Sequence, residues 1–119
     1  MRILLIDDDP DIRMLAGFVL EAAGHVLTMA ESGRDGLAAA AGEFDLVLLD
    51  YRLGDMTGDR VLPALLAAAP TRPVVFLTGS EDPATMRALT GAGAAGVIAK
   101  PFDPETLAAQ VAALHAAAG

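Results

Sequence analysis

The stretch LVLLD at residues 46–50 decides how the chain folds, because it is an uninterrupted apolar run that ends in a carboxylate. Four apolar residues without alternation fit a strand that is buried on both faces of a parallel sheet. Similar short runs recur four times, the second with a threonine: residues 3–6 (ILLI), 26–29 (VLTM), 74–77 (VVFL) and 97–99 (VIA). The sequence therefore predicts five buried strands, with Asp50 at the carboxyl end of the third.

Helical patterns separate these strands. The clearest is an apolar face at helical spacing that ends before Gly24: Ile12, Leu15, Ala16, Val19, Leu20 and Ala23. Weaker patterns predict four more helices, the third with Pro63 near its start and the fifth with Asp103 as its cap and Pro104 in its first turn: residues 37–41, 61–69, 86–89 and 107–114. Alternation of this kind predicts a single α/β domain over residues 1–119, a doubly wound (βα)₅ fold with a five-stranded parallel sheet. We expect the flavodoxin-like strand order 2-1-3-4-5.

Composition excludes several classes of protein. The formal net charge is −8, and the few Lys and Arg residues are not clustered, which argues against direct binding of nucleic acid. The chain has no cysteine, so neither a disulfide framework nor a thiolate metal site is available. No apolar segment is long enough to insert into a membrane, and the first residues do not resemble a signal peptide. We therefore expect a soluble, cytoplasmic protein.

The polar residues at the strand ends carry the chemistry. They are Asp7 and Asp8 after the first strand, Asp50 after the third, Thr78 after the fourth and Lys100 after the fifth. The carboxyl ends of parallel strands meet at one edge of the sheet, so these side chains should converge there. Three convergent carboxylates repel one another unless cations offset them, and an all-oxygen site favours Mg²⁺ beside Lys100. This pattern predicts a phosphoryl-handling site in which a carboxylate acts as the nucleophile and Thr78 as a hydrogen-bond donor.

Four segments resemble the signature motifs of bacterial response regulator receiver domains, of the chemotaxis-regulator type. They are LLIDDDP (4–10), LVLLDYRLGDMTG (46–58), VVFLTG (74–79) and IAKPF (98–102), and together they span nearly the whole chain. The resemblance implies that Asp50 is the phosphorylated residue. It also implies that Asp8 binds Mg²⁺ directly, that Asp7 assists through water, and that the backbone carbonyl of Arg52 is a further ligand.

The same resemblance implies the roles of the remaining groups. Thr78 and Lys100 would contact the phosphoryl group, and the Lys100–Pro101 bond would be cis. The phosphodonor would be a phosphohistidine on a sensor histidine kinase or on a histidine phosphotransfer protein. Such a domain is no conventional enzyme, since it catalyses only its own phosphorylation and dephosphorylation. It then switches an interaction with a partner or passes the phosphate on, and no residue pattern here identifies that downstream target.

Two positions concern signal output and lifetime. Receivers often carry an aromatic residue three positions before the lysine, but Val97 has no ring that could move toward Thr78. We therefore expect either a different output surface or onward phosphotransfer. Arg52 and Ser80 lie two residues after Asp50 and Thr78 respectively, where their side chains are expected to tune the lifetime of the acyl phosphate.

The other polar residues are better explained by structure than by chemistry. Asp9 precedes Pro10 and suits a helix N-cap. Asp55 and Asp59 are expected in a turn and at a helix start rather than as metal ligands. His25 and His115 are predicted to be surface residues at element ends, because neither has metal-ligand partners at suitable spacing.

Three other functions fit the sequence less well. A phosphatase of the haloacid dehalogenase type needs a second acid two residues after its nucleophile, where this chain has Arg52. A flavodoxin-like FMN carrier needs hydroxyl and backbone donors after the first strand, where Asp7, Asp8 and Asp9 would repel a phosphate. A non-phosphorylated interaction module would not need the full set of catalytic groups.

Overall fold

The computed structural model describes residues 1–79 and 82–118. The strands are β1 (Arg2–Ile6), β2 (Val26–Ala30), β3 (Leu46–Leu49), β4 (Val74–Thr78) and β5 (Gly96–Ala99). The helices are α1 (Pro10–Ala22), α2 (Gly33–Ala39), α3 (Gly58–Ala68), α4 (Pro83–Gly91) and α5 (Leu107–Ala118). Strands and helices alternate, as the sequence predicts.

The strands form one parallel sheet in the order β2-β1-β3-β4-β5, which confirms the predicted flavodoxin-like topology. β1 and β3 are neighbours at the point where the strand order reverses, because β2 is added on one side of β1 and the later strands on the other. Binding sites in open α/β sheets lie beside this point. β2 at the edge is largely exposed, whereas every residue of β3 and β4 is buried. The weaker apolar run at residues 26–29 is thus explained by its edge position.

Helices cover both faces of the sheet. Alternate residues of each inner strand point to opposite faces, so Leu4 and Ile6 pack with α3 while Ile3 and Leu5 pack with α1 and α5. In the three central strands, β1, β3 and β4, the core side chains are Ile, Leu, Val and Phe, and all of them are buried. Continuous apolar runs are therefore required, because a polar residue on either face would be desolvated.

Helix starts differ from the apolar patterns of the sequence: α2 begins at Gly33 and α4 at Pro83, four and three residues before the first residue of their patterns. α3 begins at Gly58, before the apolar pattern starts at Val61, so Pro63 lies inside the helix, on its exposed side. α5 begins at Leu107, although Asp103 still caps the preceding turn through a 2.9 Å hydrogen bond from the Glu105 N–H. Other local predictions agree: Gly24 follows α1 with φ of 95°.

Three further features bear on the predictions from sequence. His25 and His115 are half-buried rather than fully exposed, and the His25 Nδ1 lies 2.9 Å from the Met1 amino nitrogen. The Lys100–Pro101 peptide bond is cis. Among the residues that the structure describes, none of the helices combines the length and the apolar character that crossing a bilayer requires.

Candidate metal and phosphoryl site

Three carboxylates converge where β1 and β3 end. One oxygen from each of Asp7, Asp8 and Asp50 lies within 4.8 Å of the others. The pairing of β1 with β3 sets this spacing, because the Asp50 N–H donates to the Ile6 carbonyl at 2.9 Å. Asp7 is fully buried and Asp50 is 7% exposed, whereas Asp8 is exposed. The cluster is therefore closed on the protein side and open to solvent at Asp8.

Lys100 reaches the same cluster from the end of β5. Its Nζ lies 2.7 Å from Oδ2 of Asp7 and 3.3 Å from Oδ1 of Asp50. Burial lowers the pKa of Lys100, but the hydrogen bond to Asp7 and the charge of Asp50 outweigh it, and the pKa lies above its ordinary value. Lys100 is thus a permanent cation between two acids. It brings one positive charge to three carboxylates.

The pKa of Asp50 reflects the balance between the acids and Lys100. Burial, followed by the charge of Asp7, raises the pKa of Asp50 to about 6, and Lys100 opposes the rise only in part. Without a further cation, the site therefore favours a protonated Asp50 in mildly acidic solution. A divalent ion among these oxygens would remove that penalty. The donor set, carboxylate oxygens open to water on one side, fits Mg²⁺.

The two neighbouring acids that follow β1, Asp7 and Asp8, differ in what they already bind. Oδ1 of Asp7 accepts the Asp9 N–H at 2.9 Å and its Oδ2 accepts Lys100, so both oxygens have partners. Asp8 makes no side-chain hydrogen bond or ion pair within the described residues. This difference fits the predicted roles, in which Asp8 binds a cation directly and Asp7 acts through water. Asp9 caps α1 by accepting the Asp11 N–H at 2.9 Å, as predicted.

The β3–α3 loop, residues 50–57, carries the backbone carbonyl predicted as a metal ligand. The loop folds back on itself through the Arg52–Thr57 bridge, the Leu53 N–H to the Met56 carbonyl (3.1 Å) and the Gly58 N–H to the Tyr51 carbonyl (2.6 Å). The guanidinium of Arg52 lies 5.9 Å from the centre of the Tyr51 ring. The ligand role of its carbonyl and its effect on acyl phosphate lifetime stay predictions.

Thr78 and Lys100 are held side by side at the ends of β4 and β5. Thr78 is buried, and its carbonyl accepts the Lys100 N–H at 2.9 Å. Val97 is half-buried on β5 and borders a cavity of about 470 Å³, lined also by Met86, Arg87, Thr90 and Gly91. Ser80, predicted with Arg52 to tune the acyl phosphate, lies outside the described residues. The structure thus brings together Asp7, Asp8, Asp50, Thr78 and Lys100.

Two residues near the site were missed by sequence reasoning. The Nη1 of Arg13 on α1 donates to the backbone carbonyl of Asp7 at 2.6 Å, which fixes the turn that holds the acids. Asp55, predicted only as a turn residue, accepts backbone N–H groups from the start of α2. The available signal for Arg13 was its position, since it is a cation one turn into the helix that follows the acidic run. No local pattern indicates the contact of Asp55.

Comparison with known proteins gives a consistent result. The family model for the response regulator receiver domain matches residues 3–112. The transcriptional regulatory protein GlrR of Escherichia coli K12 is 34% identical over 107 residues, which is 89% of this chain and 24% of GlrR. The cell cycle transcriptional regulator CtrA of Caulobacter vibrioides is 31% identical over 115 residues, 96% of this chain and 50% of CtrA. The chain thus spans 24% to 50% of the length of these relatives.

Solved structures agree with the sequence relatives. Chemotaxis response regulator CheY4 of Vibrio cholerae has a TM-score of 0.88 at 30% identity, covering 95% of this chain and 97% of CheY4. A CheY-like receiver domain protein from Methanospirillum hungatei has a TM-score of 0.91 at 30% identity, covering 98% of this chain and 94% of that protein. This chain belongs to the response regulator receiver domain family of two-component signalling.

Proposed function

We propose that this chain is the Mg²⁺-dependent phosphoacceptor of a two-component system, and that Asp50 receives the phosphoryl group. The observation that carries the proposal is the position of Asp50. Its carboxylate shares a pocket with two further acids, lies 3.3 Å from Lys100 Nζ, and has its pKa raised to about 6. A nucleophile near a fixed cation, in a site short of positive charge, is suited to an incoming phosphoryl group with its metal ion.

The transfer requires an ionised Asp50. One of its oxygens attacks phosphorus while the P–N bond of the donor breaks, and a neutral imidazole leaves if its other ring nitrogen carries a proton. Receiver domains usually bind Mg²⁺, which here would be held by Asp8, Asp50, the Arg52 carbonyl and, through water, Asp7. When bound, the ion supplies positive charge to the phosphoryl oxygens. Attack of water on phosphorus later releases inorganic phosphate and restores the Asp50 carboxylate.

Two groups of this chain stabilise the negative charge of the transferred phosphoryl group. Lys100 Nζ already lies between Asp7 and Asp50, so a small displacement lets it pair with a phosphoryl oxygen. The Thr78 hydroxyl, at the end of the adjacent strand, would donate to a second oxygen. Because Asp7 retains its backbone donor from Asp9, the loss of Lys100 to the phosphoryl group leaves Asp7 partly satisfied.

The partners follow from the family. Receiver domains pair with histidine kinases, so the proposed donor is a sensor histidine kinase or a histidine phosphotransfer protein in the cytoplasm. The chain carries 8 Lys and Arg against 16 Asp and Glu, so its own surface is poorly suited to nucleic acid. Phosphorylation would therefore act through a protein partner or through onward transfer of the phosphate.

The test is phosphorylation with a small donor. The chain is incubated with Mg²⁺ and acetyl phosphate, and its intact mass is measured with and without EDTA. We expect one phosphoryl adduct that requires Mg²⁺, is absent in Asp50→Asn, and persists in Asp45→Asn. Asp45 is the matched control, because it is an exposed acid just before the opposite end of β3. No adduct in the wild type, or an adduct in Asp50→Asn, would overturn the proposal. Sustained turnover of phosphate esters would favour the phosphatase alternative instead.

A further inference from the structure

The tip of the β3–α3 loop is attached to a helix that takes no part in the proposed chemistry. Oδ1 of Asp55 accepts the Gly33 N–H at 2.9 Å, and its Oδ2 accepts the Arg34 N–H at 2.9 Å. One carboxylate thus binds two successive backbone donors, 22 and 21 residues away along the chain. These bonds, first from Arg34 and then from Gly33, hold the pKa of Asp55 below its ordinary value.

Packing reinforces this attachment. A Cβ atom added to Gly33 would lie 2.5 Å from Cγ of Met56, so the Met56 side chain covers the bare backbone at the start of α2. Only glycine permits this approach. The loop therefore touches α2 through one polar and one apolar contact from consecutive residues.

Within the described residues, Asp55 supplies the acceptors recorded for the N–H groups of Gly33 and Arg34. Ser32 is the N-cap of α2, but its Oγ accepts the N–H of Asp35, one position beyond the pair used by Asp55. The first N–H groups of a helix lack partners within that helix, so α2 needs an outside acceptor. The bonds are thus useful to both sides: α2 gains a cap, and the loop gains an anchor.

The contact between Asp55 and α2 concerns the metal site because the β3–α3 loop is short and hydrogen-bonded to itself. Leu53 and Met56 are joined by a 3.1 Å backbone hydrogen bond, so Asp55 lies within the same tight turn that follows Arg52. On the other side, a Cβ atom on Gly54 would lie 3.9 Å from Oδ2 of Asp8. A loop released from α2 would therefore shift the Arg52 carbonyl relative to Asp8.

We propose that Asp55 is a positioning residue for the metal site: its bonds to Gly33 and Arg34 hold the β3–α3 loop so that the Arg52 carbonyl faces the carboxylates. This inference rests on the proposed function. Groups that orient metal ligands without touching the ion commonly affect metal affinity by 10-fold or more. We expect Asp55→Ala to raise the Kd for Mg²⁺ about 10-fold, which corresponds to roughly 1.4 kcal/mol.

The experiment is a Mg²⁺ titration of the unphosphorylated chain, followed by the amide NMR signals of residues at the strand ends. Asp55→Ala is compared with two matched controls. Asp59→Asn removes one negative charge from an exposed acid in the first turn of α3, and Ser32→Ala removes the cap that α2 supplies for itself. Both controls are expected to change the Kd by less than about 2-fold, since isolated surface charges and caps act locally.

A second readout separates positioning from catalysis. For Asp55→Ala, the Mg²⁺ concentration that gives half the maximal rate of phosphorylation by acetyl phosphate should rise about 10-fold, with the rate at saturating Mg²⁺ within about 2-fold of wild type. The amide signals of Gly33 and Arg34 should shift in the variant even without Mg²⁺.

The possible outcomes are distinct. A Kd in Asp55→Ala equal to that of the wild type would overturn the inference and leave the proposed function intact. An equal loss in Asp59→Asn would reduce the effect to charge, and an equal loss in Ser32→Ala would reduce it to helix stability; either result would overturn the positioning role. A wild-type chain that neither binds Mg²⁺ nor gains a phosphoryl group would overturn both proposals.

Discussion

Replacement of Asp50 by Asn should stabilise the metal-free protein at neutral pH. The wild-type carboxylate is nearly buried and lies close to Asp7, and both features disfavour its charge. Asparagine has almost the same shape but carries no charge. Lys100 would not be left unpaired, because its 2.7 Å contact with Asp7 remains. A substitution that abolishes the proposed phosphorylation is therefore expected to improve folding.

The magnitude follows from the pKa of Asp50 in the two states. The folded value of about 6 lies above the ordinary 3.8, and at roughly 1.4 kcal/mol per pKa unit the difference corresponds to about 3 kcal/mol. This is an upper value, because the site is open to water at Asp8 and solvent screens part of the repulsion. We expect Asp50→Asn to raise the free energy of unfolding by about 1 to 2 kcal/mol at neutral pH.

The pH dependence carries the sharper test. Between pH 3.8 and about 6, the folded protein holds a proton at Asp50 that the unfolded chain has lost. Wild-type stability from this group is therefore greatest at low pH and falls as pH rises through that window. The advantage of Asp50→Asn should be near zero at about pH 4 and reach its maximum above about pH 6.

Urea unfolding followed by circular dichroism, in EDTA and across that pH range, measures this difference. Saturating Mg²⁺ should reduce the advantage of the variant, because the ion stabilises the ionised carboxylate of the wild type. A variant less stable than wild type at neutral pH, or a difference that does not change with pH, would refute the assignment of Asp50 as an electrostatically strained group.

Three further predictions concern the surroundings of the site. Lys100→Met should lower the free energy of unfolding of the metal-free chain by about 3 kcal/mol, because it leaves buried acids without a counter-ion. Thermal unfolding should show that Mg²⁺ restores part of this stability. Equal losses of stability with and without the ion would contradict this prediction. Gly58→Ala would place a Cβ atom 2.5 Å from Cε1 of Phe76 and should cost about 2 kcal/mol or more in urea unfolding. Its control, Gly91→Ala in open space at the end of α4, should gain up to about 0.5 kcal/mol, and equal effects would refute the steric argument. Val97→Tyr can extend into the cavity of about 470 Å³ and should stay within about 1 kcal/mol of wild type; a larger loss of stability would show that this space cannot accept a ring.

The fold was predictable because each strand carries its own signal. Residues 3–6 of β1 and all residues of β3 and β4 are buried, with side chains on both faces of the sheet, so their sequences had to be uninterrupted apolar runs up to the strand ends. The start of α3 was not predictable in the same way. Gly58 is helical although the apolar pattern begins only at Val61. A Cβ atom there would lie 2.5 Å from Phe76 and 2.9 Å from the carbonyl oxygen of Asp50, so a close tertiary contact that local periodicity does not show favours glycine at this position.

The residues of the candidate site also differ in how far the sequence alone predicts their positions. The convergence of Asp7, Asp8 and Asp50 follows from their places at strand ends, since parallel pairing brings those ends together wherever the strands are correctly ordered. The contact of Asp55 with α2 has no such origin: an exposed acid in a turn is ordinary, and its two acceptor oxygens acquire meaning only once the start of α2 lies beside them. Polar residues at strand ends are thus visible in sequence, whereas residues that hold the loops in place are visible only in the folded structure. If Asp55→Ala weakens Mg²⁺ binding as proposed, loops of the same length and similar sequence will differ in metal affinity according to what anchors their tips.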